Sequence, residues 1–209
     1  MTISLNNTGK RFNREWIFRH LNYQFTSGTH YAITGANGSG KSTLLQVIAG
    51  AISASEGAIS YHLSANSNDI KDDIYKYISI AAPYLELIEE MTLQEFLLFH
   101  QQFKPFISSA GIEKMIRVTG LENATHKQIR YFSSGMKQRV KLAQSFFSDT
   151  PILLLDEPTT NLDAEGIALY QQLLQEYSNQ RLVIISSNDE MEYQTCSAVL
   201  KIGDFKIQS

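Results

Sequence analysis

Gly35-Ala36-Asn37-Gly38-Ser39-Gly40-Lys41-Ser42-Thr43 is the stretch from which the chain is best read. It satisfies G-x-x-x-x-G-K-[ST], the pattern of a backbone loop that closes around phosphate. Immediately before it, Thr29-His30-Tyr31-Ala32-Ile33-Thr34 suits a short buried strand. Immediately after it, Ser42 to Ala49 places Leu44, Leu45, Val47 and Ile48 on a predicted helix, with Gly50 as a stop signal. The glycines permit positive φ, so successive N–H groups can converge on an anion. A helix N-terminus adds partial positive charge at the same point. On this pattern Gly35, Ala36, Asn37, Gly38, Ser39, Gly40 and Thr43 form the cradle of a nucleotide site. Lys41 reaches the β- and γ-phosphates, and the Ser42 hydroxyl ligates Mg²⁺. The bland alternative is a glycine-rich turn with a chance lysine. It leaves the order strand, turn, helix unexplained.

Further along, Ile152-Leu153-Leu154-Leu155 is a continuous apolar run that ends in Asp156-Glu157-Pro158. Such a run suits a strand of a parallel sheet covered on both faces. Carboxylates just past its C-terminal end lie where open α/β sheets bind ligands. Asp156 is placed to hold Mg²⁺, directly or through water, and Glu157 to polarise an attacking water. Asp-Glu-Pro is also an ordinary strand-ending turn, but with a phosphate loop upstream the catalytic reading is preferred. Ile167 to Tyr177 is a predicted helix, and Arg181 to Ser186 another buried strand.

On the N-terminal side, Ile3, Leu5, Leu21, Tyr23 and Phe25 alternate as in antiparallel strands. Between them lies Lys10-Arg11-Phe12-Asn13-Arg14-Glu15-Trp16. An aromatic here either stacks on a base or covers the sheet edge. Two more strands are predicted at Gly57–Leu63 and Tyr75–Ala81, with an exposed loop from Ser64 to Asp73 between them. From about Pro83 to Phe147 the character turns helical. Thr92 with Glu95 is a capping-box signature, Ile112–Val118 a short helix, and Ser133–Phe147 a third. The tail, Ala198 to Gln208, reads as a closing hairpin around Gly203-Asp204. The expected architecture is α/β: a P-loop NTPase core with a mainly parallel sheet, an N-terminal antiparallel β-subdomain and an inserted α-helical subdomain. One domain spans 1–209, with a core lobe at about 1–82 and 148–209 and a helical lobe at about 83–147.

Composition narrows the class. The 209 residues suffice for a large core, and 43% hydrophobic with 19% charged residues is ordinary for a globular protein. Net charge is −3 with no dense Lys/Arg run, which disfavours nucleic acid as the main partner. A lone Cys196 has no disulfide or zinc companion, so a reducing cytosol is expected. Nothing resembles a signal peptide or an apolar run of membrane-spanning length, so membrane attachment would need a partner.

Taken in order, these motifs resemble the ATP-binding subunit of an ABC transporter over nearly the whole chain. Phe12 falls at the family's adenine-stacking aromatic, Gly35–Thr43 at its phosphate loop, and Ile152–Glu157 at its second nucleotide motif. Phe132-Ser133-Ser134-Gly135-Met136, followed by Lys137-Gln138-Arg139, resembles the family's signature. Asn161-Leu162-Asp163 resembles the loop that crosses to a partner subunit, which brings Asp163 into the expected site. The resemblance implies ATP and Mg²⁺ as ligands and a head-to-tail dimer, homomeric or heteromeric. In it, ATP lies between the phosphate loop of one chain and the signature (Ser133, Ser134, Gly135, Met136) of the other. It also implies an integral membrane transporter subunit as partner and a peripheral position at the cytoplasmic face of the membrane. An aromatic groove (Tyr84, Phe96, Phe99) would receive that partner, although a plain helical core accounts equally well for Phe96 and Phe99.

Three departures from the family pattern stand out. Ser134 replaces a usual glycine and Met136 a common glutamine, a variant resembling export-type members. Ala81-Ala82-Pro83-Tyr84 lacks the glutamine usual at the hinge to the helical lobe. Asn188, after the strand Leu182–Ile185, takes the place of a histidine that contacts the γ-phosphate. An amide can donate a hydrogen bond there but carries no proton or positive charge, so slowed hydrolysis is expected. An ATP-switched assembly or regulatory protein is the alternative function.

Overall fold

The computed structural model describes residues 1–64, 67–109 and 111–206. The chain starts with a long hairpin, β1 (Thr2–Phe12) and β2 (Glu15–Thr26), then enters β3 (His30–Thr34), whose end opens into the glycine-rich loop and α1 (Lys41–Ile48). Next come β4 (Glu56–His62) and β5 (Ile78–Ala81), followed by α2 (Leu93–Phe103), α3 (Ile112–Val118) and α4 (Ser134–Phe147). The chain then alternates: β6 (Ile152–Asp156), α5 (Ala164–Tyr177), β7 (Leu182–Ser186), the short α6 (Glu190–Tyr193) and β8 (Ala198–Lys201).

Two sheets result. One is antiparallel in the order β2-β1-β4, and the other has five strands in the order β5-β6-β7-β3-β8. All neighbours in the second are parallel. Its inner strands are apolar throughout, and every residue of β6 and β7 is buried. Alternate side chains serve different cores, as the period-two geometry of a strand requires. Leu153, Leu155, Val183 and Ile185 pack with α2 to α5, whereas Ile152, Leu154, Leu182 and Ile184 pack with α1 and the antiparallel sheet. The helices therefore have no core of their own among the described residues; they share one with a face of the sheet.

The starts of α2 and α4 follow the sequence signals, whereas α5 begins at Ala164, ahead of the predicted Ile167. Thr92 caps α2 in a full capping box with Glu95, Ser133 caps α4 by accepting the Met136 N–H, and Asp163 caps α5 by accepting the Gly166 N–H. Two expectations need correction. The strand read over Tyr75–Ala81 is confined to Ile78–Ala81, because Lys71–Lys76 winds into a 3₁₀ turn that buries Ile74; that turn also takes up the end of the loop read over Ser64–Asp73, of which 65 and 66 lie outside the described residues. The tail is not a hairpin. Residues Ala198–Lys201 pair in parallel with β3, and Ile202–Phe205 forms a 3₁₀ turn, with 207–209 outside the described residues. The open edge of β3 offers a full ladder and a buried seat for Leu200 and Ile202, which a local Gly-Asp turn cannot match.

Candidate functional site

The parallel order brings three strand ends together. Ser186, the last residue of β7, lies in register with Asp156 on one side and Ile33 on the other. The glycine-rich loop, the Asp156-Glu157 turn and the segment carrying Asn188 therefore emerge side by side. The Ser187 N–H donates to the Ile33 carbonyl at 3.1 Å and the Glu157 N–H to the Ser186 carbonyl at 2.9 Å, tying the three ends.

The loop itself turns on Gly40, which caps α1 in the left-handed region (φ 105°) without any side-chain cap. The first-turn amides of α1 therefore keep their donors available. A Cβ on Gly40 would lie 2.3 Å from Ile17 Cγ2, so only glycine lets the β1–β2 hairpin lie this close to the loop. Lys41 is only 4% exposed, and its ammonium donates to the carbonyl oxygens of Gly35 (3.0 Å) and Ala36 (3.4 Å). A buried cation held at the centre of converging amides favours an anion strongly.

Ile17, Asn37 to Thr43 and Glu157 line one cavity of about 360 Å³. Asn188 reaches it from the far side, its Nδ2 donating to Asn37 Oδ1 at 3.2 Å. Glu157 has a positive φ of 42°. For a residue with a Cβ this backbone costs about 1–2 kcal/mol, held in place by its surroundings. Asp156 is 1% exposed and its Oδ1 has no hydrogen-bond partner, as is also true of the buried Oγ atoms of Ser39 and Ser186. An unpartnered buried carboxylate oxygen beside a phosphate cradle fits a cation. No group of three or more His, Cys, Asp or Glu gathers among the described residues. A metal here would draw on Asp156, Ser42 and phosphate oxygens.

Phe12 does not line this cavity. It stands at the hairpin tip, 49% exposed, with the Lys10 ammonium 5.0 Å from its ring centroid. Tyr84 lies in the segment Ala81–Tyr84, which lacks the glutamine usual in the family. Its side chain is 43% exposed, yet burial of the phenol pushes its pKa up to about 12, helped by the charge of Asp156 and opposed by a hydrogen bond with Gln46. Sequence reasoning offered Tyr84 only as a contact for a membrane partner, because a tyrosine in a loop carries no motif that would tie it to Asp156.

The signature residues lie elsewhere. Ser133, Ser134, Gly135 and Met136 line a second cavity, about 590 Å³, together with Arg139, Asn161 and Asp163. It shares no lining residue with the first. Asp163 accepts from the Gly166 N–H and from Arg139 Nη2, both at 2.9 Å, and these contacts hold its carboxyl below the usual range. Arg139 and Asn161 were missed as site residues, since their partners come from distant segments. Of the aromatics expected in the groove, Phe96 is 6% exposed and belongs to the core, whereas Phe99 and Tyr84 keep part of their surface exposed.

Glycine-rich loop, buried lysine and parallel sheet define a P-loop nucleotide-binding domain. A model of the ABC transporter family matches residues 18–160, and the chain belongs to that family, as an ATP-binding subunit. It is 31% identical over 209 residues to the uncharacterized ABC transporter ATP-binding protein YybJ of Bacillus subtilis (strain 168), covering 99% of this chain and 95% of that one. It is 28% identical over 214 residues to the putative hemin import ATP-binding protein HrtA of Staphylococcus aureus (strain MRSA252), covering 96% and 95%. Among solved structures, a putative ABC transporter ATP-binding protein from Pyrococcus furiosus has the same fold, with a TM-score of 0.82 at 18% identity over 99% of this chain and 100% of that one. A bacterial Atm1-family ABC exporter with ATP bound aligns with a TM-score of 0.79 at 18% identity, over 100% of this chain and 38% of that one. The family's activity is ATP hydrolysis. No helix among the described residues is long and apolar enough to cross a membrane.

Proposed function

We propose that the chain hydrolyses MgATP in a head-to-tail pair, with an identical or related chain, and so drives export by separate membrane subunits from the cytoplasmic face. The observation that carries this reading is the separation of the two anion cradles into cavities with no common lining residue. A second copy can bring its Ser133–Met136 cradle and Asp163 to the phosphate loop of the first. The core lobe (about 1–82 and 148–209) and the helical lobe (about 83–147) are the bodies whose relative movement would be passed on. Export is favoured by the Ser134/Met136 signature. One relative's name speaks of import and one structural neighbour's of export, so neither decides the direction.

In the pair, water attacks the γ-phosphorus in line. One P–O bond forms as the bond to the β-phosphate oxygen breaks, leaving ADP and phosphate. Glu157 orients the water and accepts its proton, while Lys41 and the loop amides offset charge on the phosphate oxygens. Bound Mg²⁺, for which Ser42 and Asp156 are the ligands in reach, would neutralise charge on the β- and γ-oxygens. Phe12 offers its exposed face to adenine. Asn188 donates a hydrogen bond where a histidine would also bring a proton, and turnover is correspondingly slow.

Mg²⁺-dependent hydrolysis by the wild type, Glu157→Gln and Asn188→His tests this. Turnover that Glu157→Gln abolishes and Asn188→His raises about 3–10-fold supports it. Wild-type hydrolysis equal to Glu157→Gln, with ATP still bound, favours the second reading, an ATP-switched assembly protein. That reading draws on the amide at 188 held by Asn37.

A further inference from the structure

Glu192 is a carboxylate with 4% exposure, on α6, four residues beyond Asn188. Its Oε1 accepts the Thr159 backbone N–H at 2.7 Å and the Thr159 hydroxyl at 2.5 Å. Its main-chain carbonyl accepts the hydroxyl of the fully buried Tyr170, on α5, at 2.6 Å. Its Oε2 has no partner among the described residues. Taking a carboxylate out of water is expensive, and a neutral side chain could close a simple turn. Something in this place uses a strong, fixed acceptor.

Thr159 belongs to the turn that carries Glu157. The Thr160 N–H donates to the Glu157 carbonyl at 3.1 Å, and the Leu162 N–H to the Thr159 carbonyl at 3.0 Å. The left-handed backbone of Glu157 needs its neighbours to hold it. Glu192 therefore grips, two residues on, the turn whose first member sits in the phosphate-loop cavity. It does so from the segment whose other end, Asn188, touches Asn37 of the phosphate loop.

We propose that Glu192 is a positioning residue, which locks the Glu157 turn to the Asn188 segment so that the two residues facing the reacting phosphate move as one. The inference rests on the roles given above to Glu157 and Asn188. It also supplies a route outward. A shift of Asn188 on nucleotide contact moves α6, Glu192 drags Thr159, and Thr159 moves Asn161 and Asp163 at the second cavity.

The test compares Glu192→Ala, Glu192→Gln and Thr159→Val in the full chain, with Glu157→Gln as control. Hydrolysis, binding of a fluorescent ATP analogue and amide hydrogen exchange are measured. Glutamine keeps an oxygen that can accept from Thr159, alanine keeps none, and valine preserves shape while removing the hydroxyl. Expected is a kcat lowered about 10-fold in Glu192→Ala with ATP affinity within about 2-fold, most activity restored in Glu192→Gln, and a loss of about 3-fold in Thr159→Val. Exchange at 157–163 rises in Glu192→Ala while β6 stays protected, a readout that needs no turnover. Unchanged exchange at 157–163, or wild-type kcat in Glu192→Ala, overturns the proposal. So does a parallel fall of kcat, affinity and melting temperature, which marks a mere structural staple. If Glu192→Ala does not fold, wild-type kcat and exchange in Thr159→Val overturn it alone. Residual hydrolysis in Glu157→Gln instead sinks the assignment of Glu157, whatever Glu192 does.

Discussion

The phosphate-loop cavity and the signature cavity use one device, the N-terminus of a helix, and build it in opposite ways. At α1 the cap is a left-handed glycine with no side-chain acceptor, and a buried lysine sits at the centre. At α4 the cap is Ser133, whose Oγ already accepts the Met136 N–H, and two cations of the helix are paired: Arg139 with Asp163 and Lys137 with Glu89. The first site keeps its donors for an incoming anion. The second has satisfied part of itself within the chain, as an exposed helix end must. On the proposed pairing, the open cradle takes the nucleotide and the capped one closes over it from a second copy.

The sharpest way to break this contrast is to add one methyl to each cradle. Gly40→Ala places a Cβ 2.3 Å from Ile17 at φ 105°, with strain and clash together. ATP binding by the isolated chain should weaken about 100-fold or more, read by titration with a fluorescent analogue. In Gly135→Ala the new Cβ lies 3.0 Å from the Asn161 carbonyl, on ordinary helical backbone. ATP binding should hold within about 2-fold, while hydrolysis falls about 10-fold if, as proposed, only the paired state uses this cradle. Equal loss of ATP binding in the two variants would end the distinction.

Smaller effects sharpen it. Ser133→Ala removes a cap and should cost about 1 kcal/mol, lowering the melting temperature by about 2–4 °C for a chain of this size. ATP affinity should not change, since α1 has no part in that cap. A pH-dependent effect concerns the helical half. His100 on α2 stacks on Phe106 and meets Ser148 Oγ at 3.0 Å; burial, then the charge of Lys104, pushes its pKa down to about 4. The unfolded chain, where the imidazole has its ordinary value, binds the proton more readily. The contribution of His100 is therefore complete above about pH 6.5 and fades as pH falls towards 4. Between pH 7 and 5 the wild type should lose more melting temperature than His100→Gln, by calorimetry.

How much could be read in advance depended on distance along the chain. The strand–loop–helix at 30–48, the capping box at Thr92–Glu95 and the helices Ile112–Val118 and Ser134–Phe147 are all decided by residues a few positions apart. The Gly203-Asp204 turn signal misled, because its rival was the edge of β3, far away in sequence. The same holds at the site. Gly40 and Lys41 were legible as a motif, but not that Ile17 would press on Gly40. Asn188 was legible as a substitution, but not its bond to Asn37 across 151 residues. Nothing near Glu192 in the sequence marks Thr159 as its partner.

The sequence by itself determined the glycine-rich loop, the carboxylate that ends β6 and the starts of α2 and α4. Each is a choice of backbone conformation or cap made by neighbouring residues, and such choices are settled by sterics and short-range hydrogen bonds. Tertiary structure alone decided which strand ends meet, that the two cradles open into separate cavities, and that the buried Glu192 would hold the turn after β6. Those outcomes follow from burying both faces of a five-stranded sheet at once. That burial sums over the whole chain, and no local stretch carries it.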